Sequence, residues 1–177
     1  MLIAGIWGFA EATLFFIVPD VWLTLIAVRR GLRPALLACG WALAGALAGG
    51  LAMYAWGAFD PATARGVLET LPAIDRDMID GVRSALRDDG AAAVFFGPLK
   101  GVPYKIYAVE ASAAGVGLLA FLAVSIPARL FRFVLLVVIA NVISRWALGR
   151  TGPWIPTGVL LAAWAVFYTV YFSVMPG

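Results

Sequence analysis

Between Pro34 and Phe59 the chain runs for 26 residues without one charged side chain. As a helix that run measures roughly 39 Å, more than the ~30 Å hydrocarbon core of a bilayer. Few features constrain a fold more tightly, because backbone amides surrounded by lipid must bond within their own segment or a closed partner. Two further stretches share this character. Gly115 to Trp146 is long and apolar, broken by Pro127, Arg129 and Arg132. Thr151 to Gly177 carries no charge, and Pro153 and Pro156 suit the opening of a helix. The expected spans are therefore 34–59, 115–147 and 153–175. Composition agrees: 13% of residues are charged, against ~25% in a soluble domain, and mean hydropathy is +0.96. The whole chain, 1–177, reads as one all-α membrane domain.

Two other apolar segments fit no simple span. Residues 1–30 carry Glu11 at their centre and Pro19-Asp20 beyond it. Proline cannot donate a backbone hydrogen bond and disfavours helix at the residue before it. The arm left between Asp20 and Arg29 is only about 12 Å of helix, too short to cross. Residues 91–114 are broken by Pro98, Gly101 and Pro103, with Tyr104 and Lys105 at the start of another short arm. Both read as re-entrant hairpins with a proline-plus-charge tip, marked by Pro19 in the first and by Gly101, Pro103 and Tyr104 in the second. Irregular backbone at membrane depth survives only where protein or water covers it, so the tips are expected to face each other. Hairpin followed by span occurs twice, the second time inverted, as in many transporters built from inverted repeats. Residues 1–19 lack a basic start, and Glu11 interrupts them, so they do not read as a signal peptide.

Between the halves, residues 60–90 hold eleven charges, seven acidic and four basic. Ile74, Met78, Val82 and Leu86 form a stripe, as in an amphipathic helix on the membrane surface or a solvated loop helix. Arg29, Arg30, Arg33, Arg145 and Arg150 fall together on the opposite face. Positive charge prefers the cytoplasmic side, which places the amino terminus inside and the carboxyl terminus outside, in a bacterial inner membrane. Gly45 and Gly49 form a GxxxG pair, suited to close helix packing within the chain or to a homo-oligomer.

Seven ionisable residues lie in apolar segments: Glu11, Asp20, Lys100, Lys105, Glu110, Arg129 and Arg132. Each costs about 2.5–3.5 kcal/mol at the bilayer centre, so they must be paired or hydrated. Three anions against four cations leave one positive charge over, which suits an anion such as phosphate. Arg129 and Arg132 are three apart and share a helix face. Guanidinium groups grip phosphate or carboxylate in a bidentate fork, whereas lysine acts as a point charge. The alternative is that the arginines pair with Glu11 and Asp20, locking the hairpins to the bundle, which does not exclude gating. Lys100 sits where a lysine can snorkel, and Glu110 on the exit arm approaches the outer interface. Carboxylates in a partly dry cavity can carry protons, which leaves proton coupling through Glu11 and Asp20 open. The chain has no histidine and one cysteine, Cys39, so no disulfide, metal or cofactor is expected. Nor is an enzyme or a nucleic-acid partner.

"FAEATLFFIVPDVWL" (Phe9 to Leu23) resembles the glutamate-then-Pro-x-Asp opening of the DedA superfamily, also called VTT or SNARE-associated membrane proteins. "GVPYKIYAVEASAAGV" (Gly101 to Val116) and "PARLFRF" (Pro127 to Phe133) are similar to the Pro-Tyr-Lys stretch and arginine-bearing helix of its YqaA-like branch. Where many members carry arginine after the second-hairpin proline, this chain has Lys105. The resemblance implies two opposed re-entrant hairpins and movement of lipid between leaflets, as a flippase or scramblase. Undecaprenyl phosphate or a phospholipid would be the substrate. It also implies that acidic residues of the first hairpin and later basic residues are essential, here Glu11, Asp20, Lys105, Arg129 and Arg132. The expected function is transport of an anionic phosphate-bearing lipid, with Lys105, Arg129, Arg132 and Lys100 on the phosphate. A secondary transporter of small ions or solutes is the alternative.

Overall fold

The computed structural model describes residues 1–146, apart from the side chain of Leu99, and residues 154–174. Arg150 and Pro153 lie outside them. In chain order the α-helices are α1 (Leu2–Ala12), α2 (Asp20–Arg30), α3 (Leu32–Phe59), α4 (Pro61–Leu68), α5 (Arg76–Asp89), α6 (Ala92–Phe96), α7 (Tyr104–Ala113), α8 (Leu118–Trp146) and α9 (Trp154–Val174). The described residues contain no strand. By length and apolar composition α3, α8 and α9 can each cross a bilayer, as the three uncharged runs require. The chain is an integral membrane protein on that ground.

Helix α3 is the axis of the molecule, and its small residues explain how closely others approach it. A Cβ added to Gly45 would collide with the Gly5 carbonyl oxygen, and one on Gly8 with that of Ala42. At Gly49 it would lie 2.7 Å from the Phe9 carbonyl oxygen and 2.9 Å from the Ala12 Cβ. The Gly45–Gly49 pair is thus filled by α1 of the same chain. These contacts also set direction: α1 runs the same way as α3 and stops beside Gly49, about two thirds of the way along it. Helix α2 then turns back, and Gly31, at φ +86°, makes the corner into α3. The first helix pair therefore starts and ends near one end of α3, with its break level with the middle.

The second pair, α6 and α7, belongs to the other half of the axis. Gly50 faces the Tyr104 ring and Gly57 lies against the Val109 backbone, so α7 starts near mid-axis and runs to the far end. Helix α8 runs antiparallel to α3. Its Phe121 packs on Tyr54 and Tyr104 at 5.5 and 5.6 Å between ring centroids, while Arg145, near its other end, reaches Gly31. Pro127 removes one backbone donor, yet α8 continues through it without a break.

Asp60 caps α4 by accepting from the Thr63 amide at 3.1 Å, and Asp75 caps α5 by accepting from the Met78 amide at 2.8 Å. The apolar stripe of α5 differs from the sequence reading. Its buried residues are Ile79, Val82 and Leu86, with Met78 only half-buried and Ile74 ahead of the helix. A helix repeats every 3.6 residues rather than four. The stripe packs with the α7 residues Ile106 and Val109 and with Leu68, so its buried side is turned to protein instead of lipid.

Two apolar cores result. One gathers Leu23, Ile26, Ala38, Phe133 and Val137 around the first half of α3. The other gathers Met53, Leu86, Ile106, Val109 and Phe121 around the second half. Ala42 belongs to the first and Ala46 to the second. Charged side chains fill the level where they meet.

Candidate functional site: an ion-paired layer in an apolar groove

Two helix breaks come together at that level. After α1 the Thr13 hydroxyl donates back to the carbonyls of Ala10 at 2.9 Å and Phe9 at 3.1 Å, which the Thr13 amide and, at Ala10, the Phe15 amide also reach. The backbone beyond is then satisfied from elsewhere in the molecule. The Trp7 indole donates to the Ile17 carbonyl at 2.9 Å, the Val18 amide donates to the Tyr168 hydroxyl at 2.8 Å, and Lys105 Nζ donates to the Phe15 carbonyl at 2.6 Å. A solvated loop would leave such groups to water; a loop in a dry setting cannot. At the second break Gly101 takes φ +90°, a left-handed conformation cheap only for glycine. Tyr107 occupies the space a Gly97 side chain would need. Pro103 then opens α7, which buries Tyr104 and Lys105 at its first two positions.

The ion pairs join α1 and α2 to α8. Arg129 on α8 donates to Glu11 on α1 at 2.6 Å, both almost wholly buried. The guanidinium also lies 4.0 Å from the centroid of the Tyr104 ring, a cation–π contact that is strongest when desolvated. Tyr104 is held in turn, its hydroxyl donating to Ser125 Oγ at 2.9 Å, which donates to the Phe121 carbonyl at 2.7 Å. Arg132, one turn along, places Nη2 2.9 Å from Asp20 Oδ2. The N–H groups are poorly aligned, so Arg132 Nε and Nη2 and Asp20 Oδ1 make no hydrogen bond. Lys105, Arg129 and Arg132 against Glu11 and Asp20 leave this layer one positive charge in excess. Buried ions are tolerated only when their remaining bonding sites are met, and here several guanidinium donors are not.

A cavity of about 510 Å³ opens on the layer, lying between both breaks, α8 and α9. Glu11, Asp20, Lys105 and Arg132 are its charged lining; Gly101, Pro103 and Tyr104 line it too. The remaining wall is largely apolar and aromatic, with Phe16, Trp164, Phe167 and Tyr171 among its residues. Along α8 it extends from Arg132 to Ile143, roughly 17 Å of helix. Its size falls within the ~300–1,000 Å³ common for ligand clefts.

The sequence-selected residues do not all meet. Arg129 stands behind Glu11 and Tyr104, outside the cavity lining. Pro19 caps α2 without lining the cavity. Lys100 is exposed on the short 3-10 turn Pro98–Lys100 and does not line it either. Glu110 is fully buried, where the sequence placed it near an outer interface. It accepts from Arg65 at 2.5 and 3.0 Å and from Arg83 at 2.8 Å. The Glu110 hydrogen bond holds the Arg83 guanidinium above its already high ordinary range. This triad ties α4 and α5 to α7, apart from the central layer. Missed from sequence were Trp7, Tyr168, Trp164 and Thr24. Trp164 donates to the Thr24 hydroxyl at 3.1 Å. Trp164, Phe167, Tyr168 and Tyr171 follow i, i+3, i+4, i+7 spacing, a stripe that sequence alone displays.

Among the described residues no cluster of His, Cys, Asp and Glu suits a metal ion. Comparison of the chain with protein families, curated proteins and solved structures returns no match.

Proposed function

We propose that this protein moves an anionic, phosphate-bearing lipid between the two leaflets of a membrane, as a member of the DedA superfamily. The breaks at 13–19 and 97–103 act as the tips of two re-entrant hairpins of inverted topology, entering from opposite leaflets. The headgroup passes the charged layer while the hydrocarbon tail stays against Phe16, Trp164, Phe167 and Tyr171 or in the surrounding lipid. One observation carries this reading: Arg132 and Lys105 line an apolar, aromatic cavity set against a layer that, with Arg129 behind it, carries one positive charge in excess, and Arg132 keeps unbonded guanidinium N–H groups there. A neutral solute needs no such excess charge, and phosphate oxygens match a guanidinium fork.

In the transport step the headgroup phosphate replaces Asp20 on Arg132 and takes a point contact from Lys105. Asp20 and Glu11 recapture the cations as it leaves. The competition keeps binding weak enough for release, a requirement on any pathway that must both load and empty. Arg129, backed by Tyr104, positions Glu11 without touching the lipid. With the basic ends of α2 and α8 facing the cytoplasm, the amino terminus lies inside a bacterial inner membrane.

The test is a flipping assay in proteoliposomes with fluorescent phosphatidylglycerol and, separately, a polyprenyl phosphate. Arg132→Gln combined with Asp20→Asn removes both charges and so avoids stranding one of them. The double variant should insert and keep its thermal stability while losing at least tenfold in rate. Wild-type rates in it would rule out the phosphate step at Arg132.

A further inference from the structure

A second concentration of positive charge lies at the end of α3, away from the central layer. The first turn of a helix presents unbonded N–H groups and the positive end of its dipole, and proteins commonly place an acid or a capping side chain there. Helix α3 has neither: its cap is Gly31, no side chain bonds to its first turn, and no acid occupies it. Arg33 stands in that turn instead. Arg145 of α8 brings Nη2 within 3.3 Å of the position a Gly31 Cβ would take. Arg30 and Arg145 suit the last turns of α2 and α8, whose carbonyls attract cations, but Arg33 meets a helix end of its own sign, and Arg145 is brought up against it. The arrangement repels itself as it stands.

These groups surround a cavity of about 430 Å³, and among the described residues no carboxylate lines it. Asn141 also lines it, at 8% exposure, with Oδ1 buried and without a partner. A buried amide oxygen without a bond is costly, and a half-turn about χ2 lets the group offer either a donor or an acceptor there. An anion that carries a hydroxyl would satisfy both halves of the site.

We infer that Arg30, Arg33, Arg145, Asn141 and the N-terminus of α3 form a phosphate-binding site, separate from the central layer. It takes either the headgroup of an anionic lipid or free phosphate. Basic pockets between spanning helices at headgroup depth are a known setting for anionic lipids. Only the spanning of α3 and α8 is needed, so this site can stand or fall without the transport reading.

The experiment uses the full chain extracted from vesicles of equal phosphatidylcholine and phosphatidylglycerol, with retained lipid read by native mass spectrometry. Arg33→Gln with Arg145→Gln should retain about tenfold less phosphatidylglycerol, and Asn141→Leu, which keeps every charge, should retain several-fold less. The same loss should appear when Arg33→Gln and Arg145→Gln are made in the Arg132→Gln, Asp20→Asn background, which removes the central layer's own hold on lipid. Inorganic phosphate, titrated against the bound lipid, separates the sources. Displacement means free phosphate also occupies the site, and resistance means the lipid headgroup alone does. Wild-type retention in the arginine variant overturns the inference. So does loss there with none in Asn141→Leu, which would reduce the site to surface charge. Loss confined to the Arg132 variant would place the bound lipid in the central layer and likewise overturn it.

Discussion

Asp20 shows how one carboxylate can serve two masters. It is buried to 1% exposure and lies beside Arg132, yet one of its oxygens has no hydrogen bond. A fully aligned pair would lock the first hairpin to α8; a misaligned one can be exchanged for a ligand. Asp20→Asn keeps the shape and removes the charge. We expect faster headgroup capture but slower release, seen as stronger lipid retention and reduced turnover in proteoliposomes. If flipping in this variant keeps the pH dependence of wild type, Asp20 carries no proton. Lys105 makes a different contribution, since its ammonium covers the Phe15 carbonyl as well as facing the cavity. Lys105→Met should therefore cost stability as well as transport, by about 1–3 kcal/mol for a buried carbonyl left without a donor, measured by thermal unfolding in detergent. Lys105→Arg restores the charge, and recovery of stability without transport would separate the two roles.

Among the elements, α9 touches the rest of the described protein on a narrow front. Its buried contribution is Thr157 alone, but Tyr168 and Trp164 reach the first hairpin at Val18 and Thr24. Tyr168→Phe deletes one hydroxyl and leaves the Val18 amide unpaired. The first break should loosen, with faster hydrogen exchange at Val18 and little change in α3; unchanged exchange would show that another acceptor takes over. The α1–α3 contact is backbone against backbone, where even one methyl has no room. Gly45→Val should separate those helices and lower stability by several kcal/mol, about as much as overpacking and broken contacts together cost. Gly40, whose added Cβ would meet nothing, is the control, and its alanine variant should behave as wild type. The Arg65–Glu110–Arg83 triad fixes α4 and α5 to α7. Because both arginines are about a quarter exposed, Glu110→Leu should cost about 2 kcal/mol, less than the ~3–5 kcal/mol of breaking a fully buried pair.

For the molecule as a whole, the two helix breaks decide whether the reading of opposed re-entrant hairpins holds. Cysteines placed singly at Val18 and Val102, in a Cys39→Ala background, should resist membrane-impermeant thiol reagents from both sides. Rapid labelling at either would put that break in an ordinary aqueous loop. Length and hydropathy were enough to reveal three spans and two broken segments, because a bilayer demands uncharged runs of fixed length and proline and glycine interrupt them wherever they fall. Isolated charges in such runs also pointed to Glu11, Asp20, Lys105, Arg129 and Arg132, since their burial cost has to be met by something. The linear reading also named Glu11 and Asp20 as partners for Arg129 and Arg132, and the structure pairs them; what it left open was which meets which and which other charges join them. Glu11 and Arg129 are 118 residues apart, and the same composition allowed Glu110 and Lys100 to join them. Only the packing of α1 and α7 along the small residues of α3 sorts these groups, by bringing five charges to one level and turning Glu110 toward Arg65 and Arg83. Covering of the broken backbone by Trp7 and Tyr168 was likewise hidden, because a hydrogen bond depends on distance and angle in space, and sequence specifies neither until the helices have packed.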